Sequence, residues 1–166
     1  ESEKKYRTLV ELSPDAICVI ANDKIVFAND TANKIVKAQK NQFIGQSLWQ
    51  FIAPDSLSIM KEKIQNLYNG TTNIESAEIT LVRTDGSKFQ AGGTAALIDY
   101  EGTKAVLIEF RDISIQKKQE ESLKRLKYRL SEAQRIAHLG NWEWDIQNNT
   151  VWLSDESYKI LGIDKD

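Results

Sequence analysis

From Gln116 to Leu139 the chain runs without a glycine or proline and is built mostly from Lys, Glu, Gln, Arg, Leu and Ala. These are strong helix formers, and nothing before Gly140 can stop a helix, so the stretch predicts one long helix. It divides the chain, and the charge follows the division. Residues 1–110 carry 12 basic and 14 acidic groups, residues 111–138 carry 8 and 4, and residues 139–166 carry 2 and 6. Within the helix Leu123, Leu126, Leu130, Ala133 and Ala137 recur at alternating spacings of three and four, the seam of a coiled coil over about two heptads. A lone helix cannot bury such a seam. Either the helix of a second copy covers it, or it lies on its own domain.

Ahead of this helix the pattern is mostly that of strands. Ala16–Ile20 and Lys24–Ala28 are short apolar runs joined by Asn22-Asp23, which reads as a hairpin. Asn29 to Lys40 places Ala32, Ile35 and Val36 at helical spacing behind an Asn and an Asp suited to capping. Phe43–Ile52 is a short apolar turn or helix. Pro54–Tyr68 carries Leu57, Met60, Ile64 and Leu67 on one helical face and is closed by Asn69-Gly70. Three meandering strands follow, Glu75–Arg83, Lys88–Ile98 and Lys104–Ile113, with turns at Thr84–Ser87 and Asp99–Thr103. The expectation is an α+β domain with one antiparallel sheet and helices on one face.

With 166 residues, 41% hydrophobic and 28% charged, the chain can build one well-packed domain but not two complete ones. Disordered and fibrous architectures are excluded. A net charge of -2 gives no global case for a nucleic-acid or anionic-membrane partner. The longest apolar run, Ala16–Ala21, is far too short to span a membrane. A single cysteine excludes an internal disulfide and fits a reducing compartment. The chain opens on Glu1 rather than Met, and reads as a piece of something longer.

Sliding the sequence on itself by 125 residues places Val26 on Val151, Asp30 on Asp155, Lys34 on Lys159 and Ile35 on Ile160. The apolar pattern agrees: Ile17 and Val19 fall on Trp142 and Trp144, and Phe27 on Trp152. Residues 141–166 therefore read as two opening strands and a first helix of a second such domain.

Several stretches, in order, resemble the PAS domain family of sensor modules. Leu12-Ser13-Pro14-Asp15-Ala16-Ile17 is similar to its opening, Ile25–Asn29 to its second strand with its terminal Asn, and Phe43–Leu48 to its middle helical turn. Thr84-Asp85-Gly86-Ser87 resembles the hairpin joining its third and fourth strands, and Phe110-Arg111-Asp112-Ile113-Ser114 the Asp-Ile-Thr ending of its fifth strand. Ala137–Asp145 resembles the opening of a further PAS subtype. The resemblance implies a five-stranded antiparallel sheet with short helices on one face, followed by a long linker helix. It divides the chain into a PAS domain over 1–115 with an N-terminal flanking helix, a helical signalling linker over 116–140, and the truncated start of a second PAS domain over 141–166. It makes Asn29 a structural cap, and Asp112, Ile113 and Ser114 the relay between sheet and linker.

Catalysis finds no support in the residues, since the only His, His138, lies in the linker and the only Cys, Cys18, in the first strand. No metal-ligand spacing or phosphate loop occurs; Gly92-Gly93 sits mid-strand and marks a bulge or a close backbone approach. Haem-binding relatives place a His on the long helix, where Pro54–Tyr68 has none. Light-sensing flavin relatives carry Asn-Cys-Arg where this chain has Asn41-Gln42-Phe43. No metal or cofactor is therefore expected. The family's cavity would be lined here by Val19, Phe27, Ile35, Trp49, Phe51, Met60, Ile64, Ala95 and Ile108. That set suits a small apolar ligand and equally a filled core, the filled core being preferred.

The expected function is a cytoplasmic PAS sensory and dimerisation module of a multidomain signalling protein, of the sensor histidine kinase kind, with its output domain in the same chain. It is a homodimer through Leu123, Leu126 and Leu130 and an N-terminal segment around Tyr6, Leu9 and Val10. The alternatives are a flavin- or haem-bearing redox or gas sensor, and a ligand-free dimer scaffold in a diguanylate cyclase or transcriptional regulator.

Overall fold

The computed structural model describes residues 2–40 and 42–164, apart from the side chains of residues 2–4, 6 and 7. Tyr6's side chain and Asn41 thus lie outside the described residues. The chain forms two units, residues 1–117 and 118–166.

The first unit opens with helix α1 (Ser2–Glu11) and the hairpin of β1 (Ala16–Ala21) and β2 (Lys24–Ala28). Asn22 and Asp23 both take positive φ, 50° and 62°, as a two-residue hairpin turn requires and as Asn and Asp tolerate. Helix α2 (Asp30–Ile35) is shorter than the Asn29–Lys40 expectation. Its end is taken by another segment: the Thr84 amide donates to Val36 O at 3.0 Å, the Thr84 hydroxyl donates to Lys37 O at 2.7 Å, and Lys37 turns left-handed at φ 58°. Two 3-10 turns, Leu48–Phe51 and Pro54–Ser56, precede α3 (Leu57–Tyr68). The three long strands are β3 (Ile74–Val82), β4 (Lys88–Tyr100) and β5 (Thr103–Asp112). All pairs are antiparallel in the order β2-β1-β5-β4-β3, so the first and last strands of the unit pair within the sheet.

Alternation sets the inner face. Cys18 and Ile20 of β1, Ile79 and Leu81 of β3, Ala91 and Ala95 of β4, and Ile108 and Phe110 of β5 join one core with Met60, Ile64 and Leu67 of α3. Leu67 keeps only 1% of its surface, a burial that stabilises by about 2 kcal/mol. Gly92-Gly93 makes no bulge, because β4 keeps unbroken register with both neighbours. The close approach comes from the sheet itself: a Cβ on Gly93 would lie 2.2 Å from the Glu109 carbonyl oxygen of β5. The long helix is α4 (Ser114–Ala137), which begins in this unit.

In the second unit a hairpin of β6 (Trp142–Asp145) and β7 (Thr150–Leu153) leads to α5 (Asp155–Leu161). Its hydrogen bonds reproduce those of the first hairpin and helix. Asn33 N donates to Asn29 O and Tyr158 N to Ser154 O, both at 3.2 Å; Lys37 N donates to Lys34 O and Gly162 N to Lys159 O; Ala38 N donates to Asn33 O and Ile163 N to Tyr158 O. Gly162 is left-handed at φ 67°, as Lys37 is. The offset is 125 residues throughout. Even the helix exits correspond, Ser13 N donating to Val10 O and His138 N to Arg135 O. The apolar faces differ in fate: Trp142, Trp144 and Trp152 are at least half exposed.

Candidate functional site

Asn29 has none of its surface exposed, and its amide is saturated. Oδ1 accepts from Ile17 N at 3.0 Å and from Ala32 N at 2.9 Å, the second bond capping α2. Nδ2 donates to Val10 O and to Asp15 O, each at 2.9 Å. One side chain thus fastens the exit of α1, the start of β1 and the start of α2. Beside it Asp15 takes a bidentate ion pair from Arg111 of β5, with Nη2 to Oδ2 at 2.6 Å and Nε on Oδ1. The guanidinium holds the Asp15 carboxyl below the usual carboxylate range, whereas Asp15 pushes the neighbouring Glu109 carboxyl up.

Between α3 and the inner face of the sheet lies a cavity of about 60 Å³. Met60, Ile64, Ala95 and Ile108 line it, as do Cys18, Ile79, Leu81 and Ala91. Burial pushes the Cys18 thiol up to about 12, so it is neutral and no nucleophile. The other five residues of the expected lining stand elsewhere. Val19 and Phe27 pair with one another on the outer face of the sheet, because Cys18 and Ile20 take the inner positions of β1. Ile35, Trp49 and Phe51 pack on the core's margin without lining the cavity. Ala95, Ala91 and Cys18 are in reach because they alternate on strands whose register only the assembled sheet fixes.

The start of α4 is fastened by a network of side-chain and backbone bonds. Asp112 Oδ1 accepts from Ser114 N at 2.9 Å, while Oδ2 pairs with Arg83 Nη2 at 2.5 Å. Arg83 in turn donates through Nε to Ile35 O at 2.9 Å, at the end of α2, and its guanidinium lies 4.2 Å from the Phe89 ring centre. Ser114 Oγ accepts from Gln90 N at 3.0 Å, and Ile113 N donates to Gln90 O at 2.8 Å. The Ile113 side chain fills the space over Gly92, where a Cβ would lie 3.2 Å from its Cδ1. Sequence reasoning misses Arg83. An arginine next to the Thr84–Ser87 turn, at the end of an apolar strand, is the signal that could have found it.

Of the dimer candidates, Leu9, Leu123, Leu126 and Leu130 are exposed and Val10 is half-buried. Among the described residues no group of three His, Cys, Asp or Glu could hold a metal ion, and no helix is long and apolar enough to cross a membrane.

A five-stranded antiparallel sheet in this order, with helices packed on one face and a long helix leaving its last strand, defines an α+β fold. A family model of the PAS fold matches residues 4–113, and the chain belongs to that family. It is 28% identical to sporulation kinase A of Bacillus subtilis over 138 residues, 82% of this chain and 23% of that protein. It is 22% identical to the probable diguanylate cyclase DgcE of Escherichia coli over 98% of this chain and 15% of that one. The chain therefore spans less than a quarter of either relative. The solved PAS domain from Colwellia psychrerythraea shares the fold with a TM-score of 0.61 at 23% identity, covering 69% of this chain and 98% of that one.

Proposed function

We propose that this chain is the sensing and relay segment of a larger cytoplasmic signalling protein of the sensor histidine kinase kind. Occupancy of the core between α3 and the sheet shifts the start of α4, and α4 carries the change to an output domain further along the chain. The observation that carries this reading is Asp112. Its one carboxylate both caps α4 and pairs with Arg83, which holds the end of α2, so a displacement of the helices over the sheet reaches the linker through a single ion pair. The exposed seam of Leu123, Leu126 and Leu130 pairs with that of a second copy, and three leucines per chain, each contributing about 1.5 to 3 kcal/mol before association costs, support a dimer. Residues 141–166 open a second PAS domain, a reading supported by the repeated hydrogen bonds. A diguanylate cyclase output is the second reading, favoured by the relative that matches nearly the whole chain.

The test is Arg83→Ala with hydrogen exchange. Amides of residues 114–120 are expected to exchange about tenfold faster, the equivalent of one charged hydrogen bond of about 1.4 kcal/mol. In the same series Leu126→Asp with Leu130→Asp moves sedimentation from dimer to monomer. Unchanged exchange in the first variant removes the relay, and a wild type that is already monomeric at tens of micromolar removes the dimer.

A further inference from the structure

Strand β3 is an edge of the sheet, and its two halves are finished differently. The second half is closed: Thr80 O accepts from Ala53 N and Thr80 N donates to Ser56 Oγ, each at 3.0 Å. Those bonds also fix which residues look outward. Main-chain groups alternate in direction along a strand, so Ile74, Ser76 and Glu78 turn theirs away from β4 as Thr80 does. Among the described residues no hydrogen bond reaches the main chain of these three on that side. Ile74 keeps 66% of its surface, and Ser76 and Glu78 are exposed. An open depression of about 450 Å³, lined by Ser76, Ala77, Glu78, Gly92 and Gly93, lies beside them.

Proteins guard such an edge with unpaired charge, proline or a bulge. Ile74–Glu78 holds no proline and keeps unbroken register with β4. Its two carboxylates are neutralised within the chain, Glu75 by Lys63 at 2.9 Å and Glu78 by Lys117 at the start of α4. The edge is left open to another strand, and its own sequence suits it. Laid antiparallel on a second copy about Ser76, it sets Glu78 against the partner's Ile74 and Glu75 against the partner's Ala77, so no two carboxylates meet. The outward residues then form three opposed pairs, each exchanging two main-chain bonds. Other registers do worse. Centring on Glu75 or Glu78 opposes like charges, as does parallel pairing in register; centring on Ala77 runs into the closed stretch at Thr80; and centring on Ile74 sets Ser76 and Glu78 opposite residues that precede the partner's strand.

We infer that the Ile74–Glu78 edge of β3 pairs with the same edge of a second copy, antiparallel about Ser76, and continues the sheet across a two-fold axis. The contact is separate from the leucine seam of α4. It covers Ile74 and little else that is apolar, so it is a weak pairing, populated on the order of hundreds of micromolar.

Single cysteines in the full chain read the register, because Cys18 is buried with its thiol neutral and does not compete. Under oxidised glutathione, Ser76→Cys is expected to form a disulfide-linked dimer at least tenfold faster than Glu78→Cys. Opposed Cα atoms stand about 5.5 Å apart, within disulfide reach, whereas the two Glu78 positions are offset by about 13 Å along the strands. An equal mixture of Ile74→Cys and Glu78→Cys is expected to link the variants to each other, and neither to itself. Hydrogen exchange at the Ile74 and Glu78 amides is expected to slow as wild-type concentration rises; Ser76→Lys and Ser76→Glu each undo this several-fold, and mixing the two restores it. Linking of Ser76→Cys is expected to persist alongside Leu126→Asp and Leu130→Asp. Equal linking by Ser76→Cys and Glu78→Cys overturns the register. Exchange at Ile74 and Glu78 that is independent of concentration overturns self-pairing and leaves the edge to an extended segment of another protein. Linking that vanishes with the seam variants overturns the edge as an interface in its own right.

Discussion

The same hairpin and helix occur twice in this chain, and they are held by different chemistry. In the first copy one buried amide, Asn29, makes four hydrogen bonds and joins three elements. In the second copy two hydroxyls divide that role. Ser154 Oγ accepts from Asn141 N and Ser157 N, and Ser157 Oγ donates to Asn141 O. Gly140 lets the chain pass close enough, since a Cβ there would lie 2.5 Å from Ser157 Oγ. A hydroxyl has one hydrogen where the amide has two, so two serines replace one asparagine. Local capping is thus enough to set the hairpin, the helix and the left-handed turn after it. Burial needs more, and in the first copy β3, β4 and β5 supply it.

The largest expected effect follows from that difference. Asn29→Asp keeps the acceptor for Ile17 N and Ala32 N but removes both donors and sets a charge against Val10 O and Asp15 O. It should destabilise the first unit by about 3 kcal/mol or more, whereas Ser154→Ala should cost the second hairpin about 1 kcal/mol. Urea unfolding followed by circular dichroism reads the first, and hydrogen exchange of residues 154–162 reads the second. Equal effects would mean that Asn29 is only a helix cap.

A smaller effect concerns Asp15, whose position in the second copy is taken by Gly140. Its carboxyl is held below the ordinary range, so the ion pair with Arg111 stabilises the fold at neutral pH. That contribution persists on acidification to about pH 4, the ordinary value of an aspartate, and is lost as pH falls further through the folded value. Glu109 works in the opposite sense, because its carboxyl is pushed up and protonation favours the fold. Thermal midpoints of wild type and Asp15→Asn should therefore differ most near neutral pH and converge as the pH falls through the lowered Asp15 value. A gap that widens in acid would exclude the pair as its source.

The sequence makes some of this legible and hides the rest for identifiable reasons. The long helix and the three long strands are readable because they carry unbroken helix formers or alternation between turn residues. Asn29 is readable as a cap because its bond to Ala32 N is local; its bonds to Val10 and Asp15 span 19 and 14 residues and are not. Ile17 to Ile20 is apolar at every position, so nothing in it tells inner from outer face, and the expectation that Val19 and Phe27 line the cavity puts them on the wrong side of the sheet. Arg83 is hidden by its partners, Ile35 and Asp112, 48 and 29 residues away.

The smallest effect separates the two copies at the residue after their helices. Lys37 and Gly162 both sit at left-handed φ, 58° and 67°, but only the glycine does so without a Cβ clash. Lys37 is kept there by the Thr84 bonds to Val36 O and Lys37 O and by its own contact with Asp85 at 2.6 Å. Lys37→Gly relieves the backbone but gives up that exposed contact, so it should leave the first unit within about 0.5 kcal/mol of wild type. Gly162→Lys meets the left-handed cost directly, because a side chain is placed at a φ that glycine adopts freely. It should raise hydrogen exchange in α5 by about fivefold, the equivalent of about 1 kcal/mol of left-handed strain. If Gly162→Lys is as silent as Lys37→Gly, the strain is relieved locally in both copies, and the Thr84 contacts serve only to end α2.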